Sequence, residues 1–296
     1  MRRRLLLAAP ALACLGVARA KAASPLPVVA SFTILADLAQ RVGGDRIAVT
    51  ALVGPDRDVH IFQPRPSDLG RLKTAAAVVG NGLLLEGWLG RAERSAGFRG
   101  RAIVASAGIA TRTFNEGGIT VTDPHVWQDP RNAAQMVATI AEGLVAIDAA
   151  GAEGYRSRAA AFMAEIVQAD AEIARAMAAI PEARRRIITS HDAFGYYGAR
   201  YGIQFRAPQG LSTDGEPTPR DLARLAGQIR REGIRAVFVE NMTDPRIAAA
   251  LAREAGAVVG GKVYSDSLSP PDGPAGTYLA MLRHNTTLFT AAMGAA

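Results

Sequence analysis

The side chains of this chain best suited to chemistry are three histidines and one aspartate that lie far apart. His60, His125, His191 and Asp266 are separated by 65, 66 and 75 residues, and no local motif such as H-E-x-x-H joins any pair. Each stands at or just past the carboxyl end of an expected strand, or in a loop entering an expected helix. In open parallel sheets those ends face the ligand crevice. Three imidazoles and one carboxylate from four loops have the composition of a tetrahedral shell around a divalent cation. Spacing alone leaves a second reading open for each, because a histidine at a loop–helix junction also serves as a polar cap or a packed ring. The fourth histidine, His284, falls inside a helical pattern, LRHNTT, and reads as structural or surface.

The surroundings of His125 are the most distinctive. In DPHVWQDP the prolines restrict the backbone near the histidine, leaving its ring few directions. Trp127 would supply a dry wall or packing anchor, and Asp129 has the type and place of a cap for the next helix. Glu240, which closes the strand AVFVE, is a candidate for orienting a ligand histidine from behind. A surface or helix-entry carboxylate is the competing reading.

These positions need elements to hold them. LPVVASF (26–32), IAVTALV (47–53), AAVVGNG (76–82) and AIVAS (102–106) read as strands of the first half. Helices are expected over 34–44, after a cap at Ser67, and over 132–148. Between about 154 and 180 the sequence is Ala-rich, periodic and free of Gly and Pro inside, and it stops at Pro181. That predicts one long helix of roughly 39 Å, a strut between two lobes. Strands at 185–190, 203–207, 234–240 and 261–267 then alternate with helices at 191–202, 219–232, 245–256 and 276–293. Strand–helix alternation on both sides of the strut predicts an α/β protein of two lobes, each with a parallel sheet flanked by helices. The expected division is 1–20 as signal peptide, 21–153 as N-terminal lobe, 154–180 as linking helix and 181–296 as C-terminal lobe.

The N-terminus reads as an export signal: Arg2 to Arg4, then an apolar stretch from Leu5 to Val17, then the small-x-small site Ala18-Arg19-Ala20. Whether the general or the twin-arginine exporter reads it is left open. Cys14 is the only cysteine and lies in this signal. Lipoprotein anchoring there ranks second to cleavage after Ala20, because Ala11 stands where the usual Leu would be. A chain cleaved after Ala20 has no cysteine, which excludes disulfides and thiolate metal sites. The same cut removes four arginines and takes the formal charge from +7 to +3. The remaining arginines are scattered without interleaved aromatics, so nucleic acid is not an expected partner. A content of 49% hydrophobic and 21% charged residues fits a folded domain.

Over nearly the whole chain past the signal, the sequence resembles the solute-binding proteins of zinc and manganese ABC importers. The resemblance rests on VVASFTILADLAQRVGGDR, GPDRDVHIFQPRPSDL, VVGNGLLLEGWL, DPHVWQDPRNA, TSHDAFGYYGARYG, GLSTDGEPTPRDLARL, IRAVFVE and VYSDSL, in that order. It implies that His60, His125, His191 and Asp266 are the metal ligands, two from each lobe, with Zn²⁺ as the ion and Mn²⁺ ranked second. It implies a monomer in the periplasm, a membrane ABC permease as partner, and no enzymatic activity. Many zinc-type relatives carry a His- and acid-rich loop before the DPH block; here that interval is SAGIATRTFNEGGITVT, with one Glu and no His. The site therefore loads directly, or a metallochaperone loads it. Three rivals stay in view: a manganese-type binder, a surface adhesin on the same scaffold, and a zinc hydrolase with Asp266 as base.

Overall fold

The computed structural model describes residues 24–116, 118–215 and 217–294. The first half builds a parallel sheet from β1 (Leu26–Phe32), β2 (Ile47–Val53), β3 (Ala77–Gly80) and β4 (Arg101–Val104), in the order β2-β1-β3-β4. Helices α1 (Thr33–Gly43), α2 (Pro66–Thr74), α3 (Leu89–Ala96) and α4 (Pro130–Val145) belong to this half. β1 and β3 are buried along almost their whole length, as central strands of a sheet covered on both faces must be.

The second half repeats the plan. β7 (Arg186–Ile188), β8 (Gln204–Arg206), β9 (Ala236–Glu240) and β10 (Val258–Val263) pair in parallel in the order β10-β9-β7-β8. Counted within its own half, each sheet runs second, first, third, fourth strand. Each therefore has a crevice where the chain direction switches between its first and third strands. Helices α6 (Gly195–Tyr201), α7 (Pro219–Glu232), α8 (Pro245–Ala255) and α9 (Tyr278–Gly294) complete this half.

Between the halves runs α5 (Ala152–Ala178), 27 residues long and roughly 40 Å from end to end. Tyr155, Ala159, Phe162, Ile166, Ala169, Ile173 and Met177 form its buried stripe at spacings of three and four. Its first turns are held by the first half, where the Arg158 guanidinium donates to the carbonyls of Val42 and Gly43 at 2.7 and 3.0 Å. Its last turns are held by the second, where Asp170 accepts from Arg200 and from the Tyr201 hydroxyl. The expected strut spans the expected stretch, shifted two residues toward the N-terminus.

Three expectations need correction. α2 starts at Pro66, so Ser67 lies inside its first turn; the entry is fixed instead by Asp68, whose carboxylate accepts the Arg65 N–H at 2.9 Å. The antiparallel hairpin β5 (Thr113–Glu116) and β6 (Ile119–Thr122) was not expected. The segment from His191 to Phe194 is not helical, and α6 begins only at Gly195. There the backbone N–H of His191 bonds to Glu240, and that of Asp192 to the carbonyl of Gly210. A Cβ at Gly195 would meet Arg112 Nη1 at 2.4 Å and Asp123 Oδ2 at 2.7 Å, so a side chain there would push these two side-chain ends aside. The signal peptide and Cys14 lie outside the described residues.

Candidate metal centre

His60 lies in the loop after β2. His125 follows β6 by three residues, His191 follows β7 by three, and Asp266 follows β10 by three. All four are brought together. Among the described residues they form the one group of histidines and acids that offers donor atoms all within 4.8 Å of one another. The three imidazole rings lie 5.3 to 5.7 Å apart, and each turns Nε2 toward the same carboxylate. His60 Nε2 and His191 Nε2 are 3.1 Å from Asp266 Oδ2, and His125 Nε2 is 3.6 Å from Asp266 Oδ1. Donors at ~2.0–2.1 Å from a tetrahedral Zn²⁺ stand about 3.3–3.4 Å apart, so these separations bracket the edges of such a shell. His125 Nε2, His191 Nε2 and Asp266 Oδ1 are buried without a hydrogen-bond partner, which is costly for polar atoms unless a cation draws on them.

The opposite ring nitrogens are governed by carboxylates. Asp123 Oδ1 lies 2.9 Å from His125 Nδ1 and also accepts the His125 backbone N–H at 3.0 Å. Glu240 Oε2 faces His191 Nδ1 at 2.6 Å, an ion pair bent away from hydrogen-bond geometry. Its Oε1 accepts the backbone N–H groups of Ser190 and His191, both at 2.8 Å. Such partners fix which nitrogen points at a metal and raise the ligand's basicity. Glu240 closes β9 in full burial, so it acts from within the core.

Electrostatically the cluster holds itself charged. Burial pulls the His125 imidazole down, but Asp266 and Asp123 more than offset it and lift it to about 9. His191 is likewise penalised by burial yet held well above its ordinary value by Glu240 and Asp266. Burial pushes the Asp266 carboxyl up, and the His191 and His125 imidazoles overcome this, pulling it well below the usual range. A divalent cation would displace the protons from these nitrogens, since only neutral imidazole ligates, and would take over their pairing with the carboxylates.

Trp127 sits on a tight turn (Val126–Gln128), fully buried, with its ring 5.1 Å from that of Phe32 and 5.4 Å from His125. Its Nε1–H donates to the Ser265 carbonyl at 2.8 Å, joined there by Gln128 Nε2 at 2.9 Å. Leu268 N–H donates to Thr33 Oγ1, and the Leu268 carbonyl accepts from Asp56 N–H. The loop bearing Asp266 follows a second-half strand, yet it is bonded chiefly to the first half. Asp129 caps α4 as expected, accepting the Arg131 N–H at 2.9 Å. His284 stands apart from the cluster on α9, its Nε2 2.9 Å from the Lys262 carbonyl.

Asp58 and Asp123 were missed by sequence reasoning. The signal was present, because each lies two residues before a ligand candidate in an Asp-x-His pattern, a spacing at which an aspartate bonds the backbone two residues on.

A family model described as zinc-uptake complex component A, periplasmic, matches residues 28–292. The iron-binding protein YfeA of Yersinia pestis is 32% identical over 273 residues, covering 92% of this chain and 87% of its own length. The manganese-binding lipoprotein MntA of Bacillus subtilis is 32% identical over 274 residues, with 90% of each chain covered. The solved structure of the periplasmic zinc-binding protein TroA from Treponema pallidum superposes with a TM-score of 0.86 at 27% identity, covering 91% of this chain and 99% of that one.

Proposed function

The chain belongs to the periplasmic zinc-uptake component A family, whose members are metal-binding proteins of ABC importers rather than enzymes, and from that premise we propose that it captures one Zn²⁺ and hands it to a membrane permease. The ion would be held by His60, His125, His191 and Asp266. The observation that carries this reading is the convergence of three Nε2 atoms on one buried carboxylate. The relatives bind iron, manganese and zinc by name, so the choice of metal rests on the donors. Three imidazole nitrogens favour Zn²⁺ over Mn²⁺, which suits oxygen-rich shells.

Capture follows from the mounting. Asp123 and Glu240 hold two imidazoles with Nε2 inward, so little side-chain freedom is lost when the ion arrives. Burial strengthens each donor's attraction, and Trp127 keeps water from the His125 side. With all four positions of a tetrahedral shell supplied by protein, no open position remains for an activated water, which argues against the hydrolase. A lobe arrangement clamped by α5 supports small relative rotations rather than wide hinge closure.

Among the described residues no helix is long and apolar enough to cross a membrane. The lipoprotein relatives support an anchor at Cys14, so ranking that anchor behind free release is not upheld. Loading directly or by a metallochaperone, and a monomeric state, remain part of the proposal.

Elemental analysis of protein purified without added metal tests it, beside His125→Ala and a Zn²⁺/Mn²⁺ competition titration. One equivalent of zinc, largely lost in the variant, and preference for Zn²⁺ are expected. Full metal content in His125→Ala would overturn the ligand set; preference for Mn²⁺ would overturn the choice of metal.

A further inference from the structure

The Asp-x-His pattern occurs twice and is used in two ways. In both copies the aspartate Oδ1 accepts the backbone N–H of the histidine, at 2.8 Å for Asp58 and His60 and at 3.0 Å for Asp123 and His125. Asp123 adds a contact to the ring of its own histidine. Asp58 instead turns Oδ2 across the cleft, where it accepts the Thr213 hydroxyl at 2.6 Å. Thr213 lies in the loop between β8 and α7, 155 residues away. The mount of His60 is thus tied to the other half of the molecule. A second tie lies beside it, from Asn241 Nδ2 to Asp56 Oδ1 at 2.9 Å.

His60 is also the donor nearest to solvent. Its side chain is 5% exposed, whereas those of His125, His191 and Asp266 are 0% exposed. It borders a cavity of about 510 Å³ lined by Leu83, Leu85, Val121, Pro124 and Leu211. An ion held by the four donors has its shortest way out past this imidazole.

We propose that Asp58 is a positioning residue whose hydrogen bond to Thr213 holds His60 over the ion and sets how fast the metal leaves. The proposal rests on the four-donor reading given above. Thr213→Val removes the hydroxyl with little change of shape, and Thr213 is half-buried, so the fold has no large cavity to absorb. Loss of a hydrogen bond to a charged group should accelerate release about tenfold.

The test is stopped-flow transfer of Zn²⁺ from the full chain to a chelator, with association measured separately. Thr213→Val should release zinc about tenfold faster with its association rate unchanged, and Thr213→Ser should restore the wild-type rate. In a His60→Ala background, Thr213→Val should add nothing, since the residue through which it acts is gone. A wild-type release rate in Thr213→Val overturns the proposal while leaving the four-donor reading intact. So does equal acceleration in the His60→Ala background. A wild-type chain that takes up no zinc brings down both.

Discussion

Glu240 Oε2 lies 2.6 Å from His191 Nδ1, while the other oxygen of the same carboxylate accepts the His191 backbone N–H at 2.8 Å. One buried side chain thus fixes both where the histidine sits and which way its ring faces. Glu240→Gln keeps the shape and removes the charge behind the imidazole. Zinc affinity should fall about 10–100-fold, measured by competition with a chromophoric chelator. An unchanged affinity would reduce Glu240 to a packing group.

Trp127 joins the His125 turn to the carbonyl of Ser265, one residue before Asp266. Trp127→Phe loses that bond and leaves space beside Phe32. The cost should be about 2–4 kcal/mol in urea unfolding. Because the lost bond anchors a donor loop, zinc affinity should fall as well. A variant that is destabilised but binds zinc as the wild type does would show that the loop is held adequately by Gln128 and Thr33.

Much of this site was legible before any fold was known, for a local reason. His191 follows a strand written as a short apolar run that periodicity detects, whereas the strand before His125 was not expected and the one before Asp266 ends at Val263 rather than at the expected 267. The donors' places in loops beside expected elements could therefore be read, although their meeting point could not. The bonds that make the meeting point span 138 residues from Trp127 to Ser265 and 206 from His60 to Asp266, and no local pattern encodes them. The helix expected at His191 failed for a related reason. Its backbone N–H groups are claimed by Glu240 and Gly210, and a distant carboxylate overrode local helical preference. The hairpin 113–122 places polar and apolar residues in near alternation about a pair of glycines, a weak signal in a stretch where most of the described side chains are exposed.

Away from the site, Asp148 ties the Gly44–Arg46 turn to α5. It accepts from Arg46 Nε and Nη2 at 2.7 and 2.8 Å and from the Tyr155 hydroxyl at 2.6 Å. Arg46 first, then Tyr155, holds the Asp148 carboxyl down to about 2, below its ordinary 3.8. A carboxyl depressed in the folded state adds stability that is complete above the ordinary value and is lost as pH falls through the folded one. Asp148→Asn should therefore lower the urea midpoint at pH 7, with a gap to the wild type that narrows from about pH 4 toward pH 2. Salt should narrow it too, because Arg46 is 43% exposed. A gap constant across that range would show that shape rather than charge makes the contact.

Metal and fold should also be coupled, because the four donors come from four loops of both halves and meet only in the native chain. An ion that binds the folded state alone stabilises it by RT ln(1 + [L]/Kd), about 4 kcal/mol at a thousandfold excess over Kd. For a chain of this size that corresponds to a melting temperature roughly 7 °C higher with Zn²⁺ than after chelation. His125→Ala should lose most of the increment, and its metal-free melting temperature should fall as well, since the alanine removes a buried ring whose charged form Asp266 and Asp123 stabilise. Calorimetry of both proteins, with zinc and with chelator, separates the terms. Equal melting temperatures for the wild type with and without zinc would mean that the ion does not bridge the two halves.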